Sequence, residues 1–309
     1  MKVENGNYKV QFTPETKEVI ITAVLYPEQL YMTGTDFGNW GWGEGTVEMT
    51  PVLHNPDWGA NAEAQFWTVR YLTAGNGVKF NSALGWDGNQ FGSLETNEGF
   101  TNEGDGNLQV AESGIYMIHI DFKRSILHVE PARISLVGDC TDMGDDAWNE
   151  EKVEAVEANI FKADGKELKI TLPKGGNLRM YAASAISTSP AWTREFNIYD
   201  GVIEYRGTGG DLAEVSVKKG QVVTLDPNAG TGSIEGEGEG PSYMAELSVP
   251  GNWSVWTADA PKLSGDKKGN FAGPLVMAGD AIEFKFIHDG AWIGGKAGEE
   301  DLSYELGAS

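Results

Sequence analysis

Gly114-Ile-Tyr-Met-Ile-His-Ile-Asp121, then Phe122-Lys-Arg-Ser125, then Ile126-Leu-His-Val129, is the stretch that decides the fold. Its flanks follow the period of strands and four residues join them, so it reads as a β-hairpin. The hairpin has a copy near the start of the chain: Gly6-Asn-Tyr-Lys-Val-Gln-Phe12, Thr13-Pro-Glu-Thr16, then Lys17 to Ala23, with Tyr8 standing 108 residues before Tyr116. A weaker version is Lys219-Gly-Gln-Val-Val-Thr-Leu225. A period of this size is too long for a solenoid repeat and fits one small β domain. Further strand-like runs are Gln65–Leu72 and Ile282–Ile287, and 41 glycines and 12 prolines punctuate the 309 residues. The chain is therefore expected to be all-β, a row of tandem Ig-like β-sandwich modules joined by short linkers. One short helix, Asn149 to Glu157, is the expected exception.

The repeat sets the boundaries. Residues 1–25 read as the closing hairpin of a preceding or permuted module, 26–131 as module one, and 132–240 as module two. Module two ends in the run Glu235-Gly-Glu-Gly-Glu-Gly240, which can bury nothing and reads as a flexible linker. Residues 241–309 read as a third module that stops short of its own closing hairpin. Two accounts fit: a segment of a longer array, or an opening hairpin that completes the last module by circular permutation.

A net charge of −23 and a pI near 4.5 argue against nucleic acid and anionic membrane as partners, since both require a basic face. A neutral, hydroxyl-rich ligand suffers no such repulsion. The single cysteine, Cys140, forbids an internal disulfide, and no His-Asn or His-Asp setting around it suggests a nucleophile. No transmembrane stretch is legible, and Met1-Lys-Val-Glu-Asn5 lacks the apolar core of a signal peptide.

Against this background a constellation recurs. Lys79 precedes Trp86, Arg179 precedes Trp192 and Lys285 precedes Trp292; the cations lie 100 and 106 residues apart and the tryptophans 106 and 100. Trp40, Trp148 and Trp253 keep step upstream at 108 and 105, two of them within the tripeptide Gly-Asn-Trp. A tryptophan in a β-sandwich usually belongs to the core, and Trp67, inside a strand run, is assigned to the core or to a covered face. The others are flanked by Gly, Pro, Asn and Asp, as are Trp42 and Trp58, which marks loops. The lysines alone are ordinary alternating strand residues; only their registration with tryptophan gives them weight.

Indole faces and nearby cations suit carbohydrate. An indole offers a large rigid face to the C–H side of a sugar ring at low entropic cost, and Lys or Arg donates to vicinal hydroxyls. Burying about 100 Å² of sugar surface at roughly 25 cal/mol per Å² stabilises by about 2–3 kcal/mol. A single site should then bind in the range of about tens of micromolar to millimolar. Repetition of the site compensates on a polymeric ligand, whose later contacts are intramolecular.

Taken together these pieces resemble the starch-binding modules of SusE/SusF-type surface lipoproteins of Bacteroidetes. Leu30-Tyr-Met-Thr-Gly34 leading to Gly38-Asn-Trp40-Gly-Trp42, Val78-Lys-Phe80 before Trp86, and Gly106-Asn-Leu108 carry the likeness in module one. In the third module Gly251-Asn-Trp253, Phe284-Lys-Phe286 and Trp292 carry it. Module two departs, with Arg179 for Lys, a longer loop to Trp192, and Asp211 in place of Asn107. The resemblance implies non-catalytic binding of an α-glucan such as starch, with no cofactor or metal. It also implies an outer-membrane, cell-surface location through a lipid anchor absent from this sequence, and other outer-membrane glycan-uptake proteins as neighbours. Carried over by position, site one is Trp40 or Trp42, Lys79 and Trp86, with Asn107 in support. Site two is Trp148, Arg179 and Trp192. Site three is Trp253 or Trp256, Lys285 and Trp292.

Two alternatives stand beside this reading. A glycoside hydrolase or its accessory region needs two carboxylates at a fixed separation, and among 46 acidic residues some pair always qualifies. A calcium-stiffened adhesin or stalk would draw on Asn102-Glu-Gly-Asp-Gly-Asn107 or Asp139-Cys-Thr-Asp142, neither of which meets a calcium-loop pattern.

Overall fold

A computed structural model describes residues 8–23, 26–87, 90–91, 94, 96–102, 107–238, 246–265, 271–276, 281–288, 291–293 and 302–305. The acidic loop residues 103–106 and the end of the Gly/Glu run, 239–240, lie outside the described residues. The protein is almost entirely β and divides into two units, Met1–Gly238 and Glu239–Ser309.

The hairpin Gly114–Asp121/Ile126–Pro131 sits in the middle of the first unit. It pairs antiparallel with Gln65–Leu72, extending to Thr50–Pro51 on one side and to the parallel strand Thr96–Glu98 on the other. Both parities of these strands are apolar, and both faces are covered. Phe66, Leu72, Ile118, Ile120, Leu127 and Val129 pack against the second sheet of module one, built on Tyr31–Gly34 and Val78–Asn81. Trp67, Val69, Ile115 and Met117 point the other way, into a core made with module two.

In module two, eight strands from Ile134–Leu136 to Lys162–Asp164 form one sheet. Its two ends meet where the Phe161 amide donates to the Ile134 carbonyl at 3.0 Å, so the sheet folds back on itself. Trp67 lies 5.3 Å from Tyr205 and 6.3 Å from Phe196 of that sheet. Only Ala132 and Arg133 separate the last strand of module one from the first of module two, and a continuous apolar core crosses the junction. The expected short helix is Glu150–Glu154, its first turn capped by the Asn149 carboxamide, followed by a 3-10 turn at Glu157–Asn159.

The junction carries a polar seam. Buried His119 bonds Ser184 at 2.8 Å and Gln65 at 3.0 Å, and Gln65 donates on to Asp121 and to Thr188, each at 2.9 Å. Arg194, 2% exposed, donates to the Ala182 carbonyl. Burial holds the His119 imidazole well below its usual range, with repulsion from Arg194, Arg124 and His128 adding to it. The lone Cys140 is buried in this unit and burial pushes its thiol up.

The opening hairpin pairs Tyr8 with Ala23 and Thr13 with Glu18, and the central one pairs Tyr116 with Pro131 and Asp121 with Ile126. All four positions are offset by 108, as are the left-handed turn residues Lys17 (φ 55°) and Ser125 (φ 56°). Their surroundings differ: Phe12 is 59% exposed, whereas Ile120 at the equivalent place is 1% exposed.

Among the described residues of the second unit, five strands form a sheet ordered Phe271–Ala272, Lys262–Gly265, Glu246–Ser248, Phe286–His288 and Ala291–Ile293. A separate pair joins Ala281–Phe284 to Leu302–Glu305.

Candidate functional site

Module two forms the best-defined site, an open cleft of about 640 Å³ lined by Trp148, Arg179, Tyr181, Trp192, Arg206, Glu150, Asp211, Val137 and one indole from module one, Trp58. The three residues expected from sequence, Trp148, Arg179 and Trp192, thus share one wall-to-wall space. Trp148, 54% exposed, follows a 3-10 turn and lies against Gly138. Gly138 has φ +84°, and a Cβ there would stand 2.7 Å from the indole, so the ring needs glycine beneath it twice over. Trp192 is half-buried on the turn Ala191–Arg194, whose first amides donate to the Glu150 carboxylate from Ala191 at 2.7 Å and Trp192 at 3.2 Å.

Each ring faces a cation. The Arg179 guanidinium lies 5.7 Å from the Trp148 centroid and the Arg206 guanidinium 4.8 Å from that of Trp192. Both arginines converge on Glu195, which is 1% exposed: Arg179 Nη1 donates to Oε1 at 2.7 Å and Arg206 Nη1 to Oε2 at 3.1 Å. Arg206 also pairs with Asp211 at 2.7 Å. Burial pushes the Glu195 carboxyl up, against the pull of Arg179 and Arg206. Arg206, Glu195 and Trp58 were not singled out for the site from sequence. Glu195 opens the strand Glu195–Tyr199, Arg206 follows directly on the neighbouring strand Val202–Tyr205, and Trp58 comes from another module.

In module one the arrangement differs. Trp42 meets Trp86 edge to face, 5.2 Å between centroids at 77°, and Trp86 is 49% exposed. Trp40, on a left-handed turn with Asn39, lies over Gly77, where an added Cβ would stand 3.1 Å from the ring and 2.9 Å from Asn107. Trp40 and Asn107 are therefore brought together, and Trp42 with Trp86. Lys79 occupies the strand Val78–Asn81 opposite Thr33 and stands over no aromatic ring among the described residues.

In the second unit the Lys285 ammonium lies 5.7 Å from the Trp292 centroid, and Trp292 is 52% exposed. Trp253 packs at 6.0 Å on Phe284, over Gly251, where a Cβ would stand 2.2 Å from the ring. Trp256 is 40% exposed. Among the described residues no group of three or more His, Cys, Asp or Glu could hold a metal ion. None of their helices is long and apolar enough to cross a membrane.

Residues 29–128 and 133–233 match the family described as SusF/SusE starch-specific carbohydrate-binding modules. Outer membrane protein SusF of Bacteroides thetaiotaomicron is 33% identical over 250 residues, covering 75% of this chain and 48% of that protein. The crystal structure of SusF from the same bacterium matches with a TM-score of 0.59 and 29% identity, over 74% of this chain and 52% of that one. The chain spans about half the length of these relatives.

Proposed function

The chain belongs to the SusF/SusE family of starch-specific carbohydrate-binding modules, and from that membership we propose that it captures α-glucan chains by stacking glucosyl units on paired tryptophans at several sites. Modules of this family bind and do not catalyse. The observation that carries the reading is the module-two cleft, where two indoles are each backed by a guanidinium held on one buried carboxylate. Stacking of C–H faces on Trp148 and Trp192 supplies the affinity, and Arg179 donates to sugar hydroxyls.

In module one we assign the stacking pair to Trp42 and Trp86, with Lys79 as donor and with Trp40 and Asn107 shaping the floor. In the third we assign it to Trp292 with Lys285, and Trp253 or Trp256 as second ring. The 77° between Trp42 and Trp86 favours a ligand that curves, as an α-1,4 chain does, over a flat ribbon. With several sites on one chain, a polymer gains by effective concentration what each site lacks alone. We further propose that the protein works at the outer membrane, facing outward beside other glycan-uptake proteins. Residues 8–23 we read as the closing hairpin of a further module.

Affinity electrophoresis through gels cast with amylopectin, pullulan, dextran, xylan or laminarin tests the ligand. Retardation is expected in amylopectin and pullulan and should weaken in Trp192→Ala. Migration unchanged by all five polymers would overturn the proposal.

A further inference from the structure

We propose that Trp58 of module one is a third stacking residue of the module-two cleft, so that the junction of the two modules forms one extended α-glucan site. The inference rests on the binding role assigned above to that cleft. Trp58 ends the 3-10 turn Pro56–Trp58, in the connection between the strands Thr50–Pro51 and Gln65–Leu72.

This connection is not loose. Asn55 and Ala60 exchange both backbone hydrogen bonds at its neck, 2.8 and 3.0 Å, and Gly59 closes the turn in a left-handed conformation, φ +77°. Below the neck Val52 and Ala62 are buried in the core shared by the two modules. The same connection is tied to the loop that carries Trp192. The Leu53 amide donates to the Thr193 carbonyl at 3.4 Å, and the Thr188 hydroxyl donates to the Asn61 carbonyl at 2.9 Å. Trp58 and Trp192 are therefore positioned by one bonded frame, although 134 residues separate them in sequence.

The tip of that frame is built to present a ring. Trp58 is 56% exposed, so its indole contributes little to folding, and a lone exposed tryptophan would carry no meaning. Here the exposed face lines the same cleft as Trp148 and Trp192. Two indoles engage adjacent glucosyl units; a third, reaching in from the neighbouring module, engages units further along the chain. Affinity should accordingly grow with oligosaccharide length beyond what two rings provide.

The test uses the whole chain carrying Trp86→Ala and Trp292→Ala, which leaves module two as the intact site, titrated calorimetrically with maltose and with maltoheptaose. Adding Trp58→Ala should lower maltoheptaose affinity by about fivefold to tenfold, as expected for one lost stacking face. The loss on maltose should be smaller by at least about threefold. Trp58→Phe should restore part of the difference. Equal losses on both ligands, or no loss on either while Trp192→Ala abolishes binding, would overturn this inference and leave the parent reading standing. Absence of any α-glucan binding by the unsubstituted chain would overturn both.

Discussion

In module one the exposed Trp86 is propped by a second indole, Trp42, 5.2 Å away at 77°. In module two each indole instead faces a guanidinium, and the two guanidiniums share the buried Glu195 carboxylate. Both arrangements solve the same physical problem, which is to keep a large apolar ring rigid while one face meets water. Ring against ring does so by dispersion and quadrupole contact, which are insensitive to charge. Ring against a clamped cation does so by electrostatics, and it inherits the cost of burying three charged groups. That cost is offset only while every member of the set is present. The two sites should therefore fail in different ways.

Glu195→Gln tests the difference most severely. It removes the acceptor charge from Arg179 and Arg206 in a place where Glu195 is 1% exposed. Loss of one partner from a buried ionic set costs about 3–5 kcal/mol, and Asp211 compensates Arg206 only in part. Urea unfolding should show the first unit destabilised by about that amount, with α-glucan binding by module two lost and binding by module one retained. A stability change below about 1 kcal/mol would show that the charge on Glu195 does not hold the clamp together.

The glycines beneath the rings give the next largest contrast. Gly138 has φ +84° and a Cβ there would stand 2.7 Å from Trp148, so Gly138→Ala combines backbone strain with a clash. It should cost about 1–3 kcal/mol and about tenfold in affinity at module two. Gly77→Ala meets Trp40 at 3.1 Å and Asn107 at 2.9 Å without the left-handed backbone, so its penalty should be smaller. Thermal unfolding and calorimetry on the two variants decide the order; a larger effect at Gly77 would break the comparison.

How much of this was legible beforehand depends on the range of the contacts. The period-two runs announce the strands, and the offset of 108 between Tyr8 and Tyr116 holds through both registers and through the turn residues Lys17 and Ser125. The run Gln65-Phe-Trp-Thr-Val-Arg-Tyr-Leu72 already shows apolar residues at both parities, the signature of a strand covered on two sides. What covers it was not legible, because Phe196 and Tyr205 lie some 130 residues away in the next module. Arg179 and Trp148 share a cleft as their spacing suggested. Arg206 and Glu195 leave no mark in the sequence because nothing repeats them in the other modules; they reach Trp192 and Arg179 only through pairing of adjacent strands. Trp58 stood in a loop with no partner in sequence, and only the folded junction gives it neighbours.

Acid should separate the sites by a smaller margin. The connection carrying Trp58 is tied through Thr188 to Gln65, which holds His119. Burial lowers the His119 imidazole well below 6.5, so the unfolded chain binds the proton first. Its contribution to stability is therefore present above about pH 6.5 and is lost as pH falls below that value, by up to about 1.4 kcal/mol per pH unit until the folded imidazole titrates. Differential scanning between pH 7.5 and 5.5 should show the first unit losing stability, and His119→Gln should flatten the slope. A wild-type midpoint independent of pH across that window would remove the coupling.

The smallest effect expected is at the cations themselves, and it is the most discriminating. Lys79 stands over no described ring, so Lys79→Met removes only a donor to the ligand and should weaken module-one binding by about twofold to threefold, with stability changed by less than about 0.5 kcal/mol. Arg179→Lys keeps the charge yet replaces a planar fork, bonded to Glu195 at 2.7 Å and laid over Trp148, with a point charge on a flexible stem. It should weaken module-two binding by more than Lys79→Met weakens module one, despite being the more conservative change on paper. Calorimetry on single-site backgrounds measures both. If the lysine at position 179 binds as well as arginine, the clamp does not set the geometry of the cleft, and the two modules differ in appearance alone.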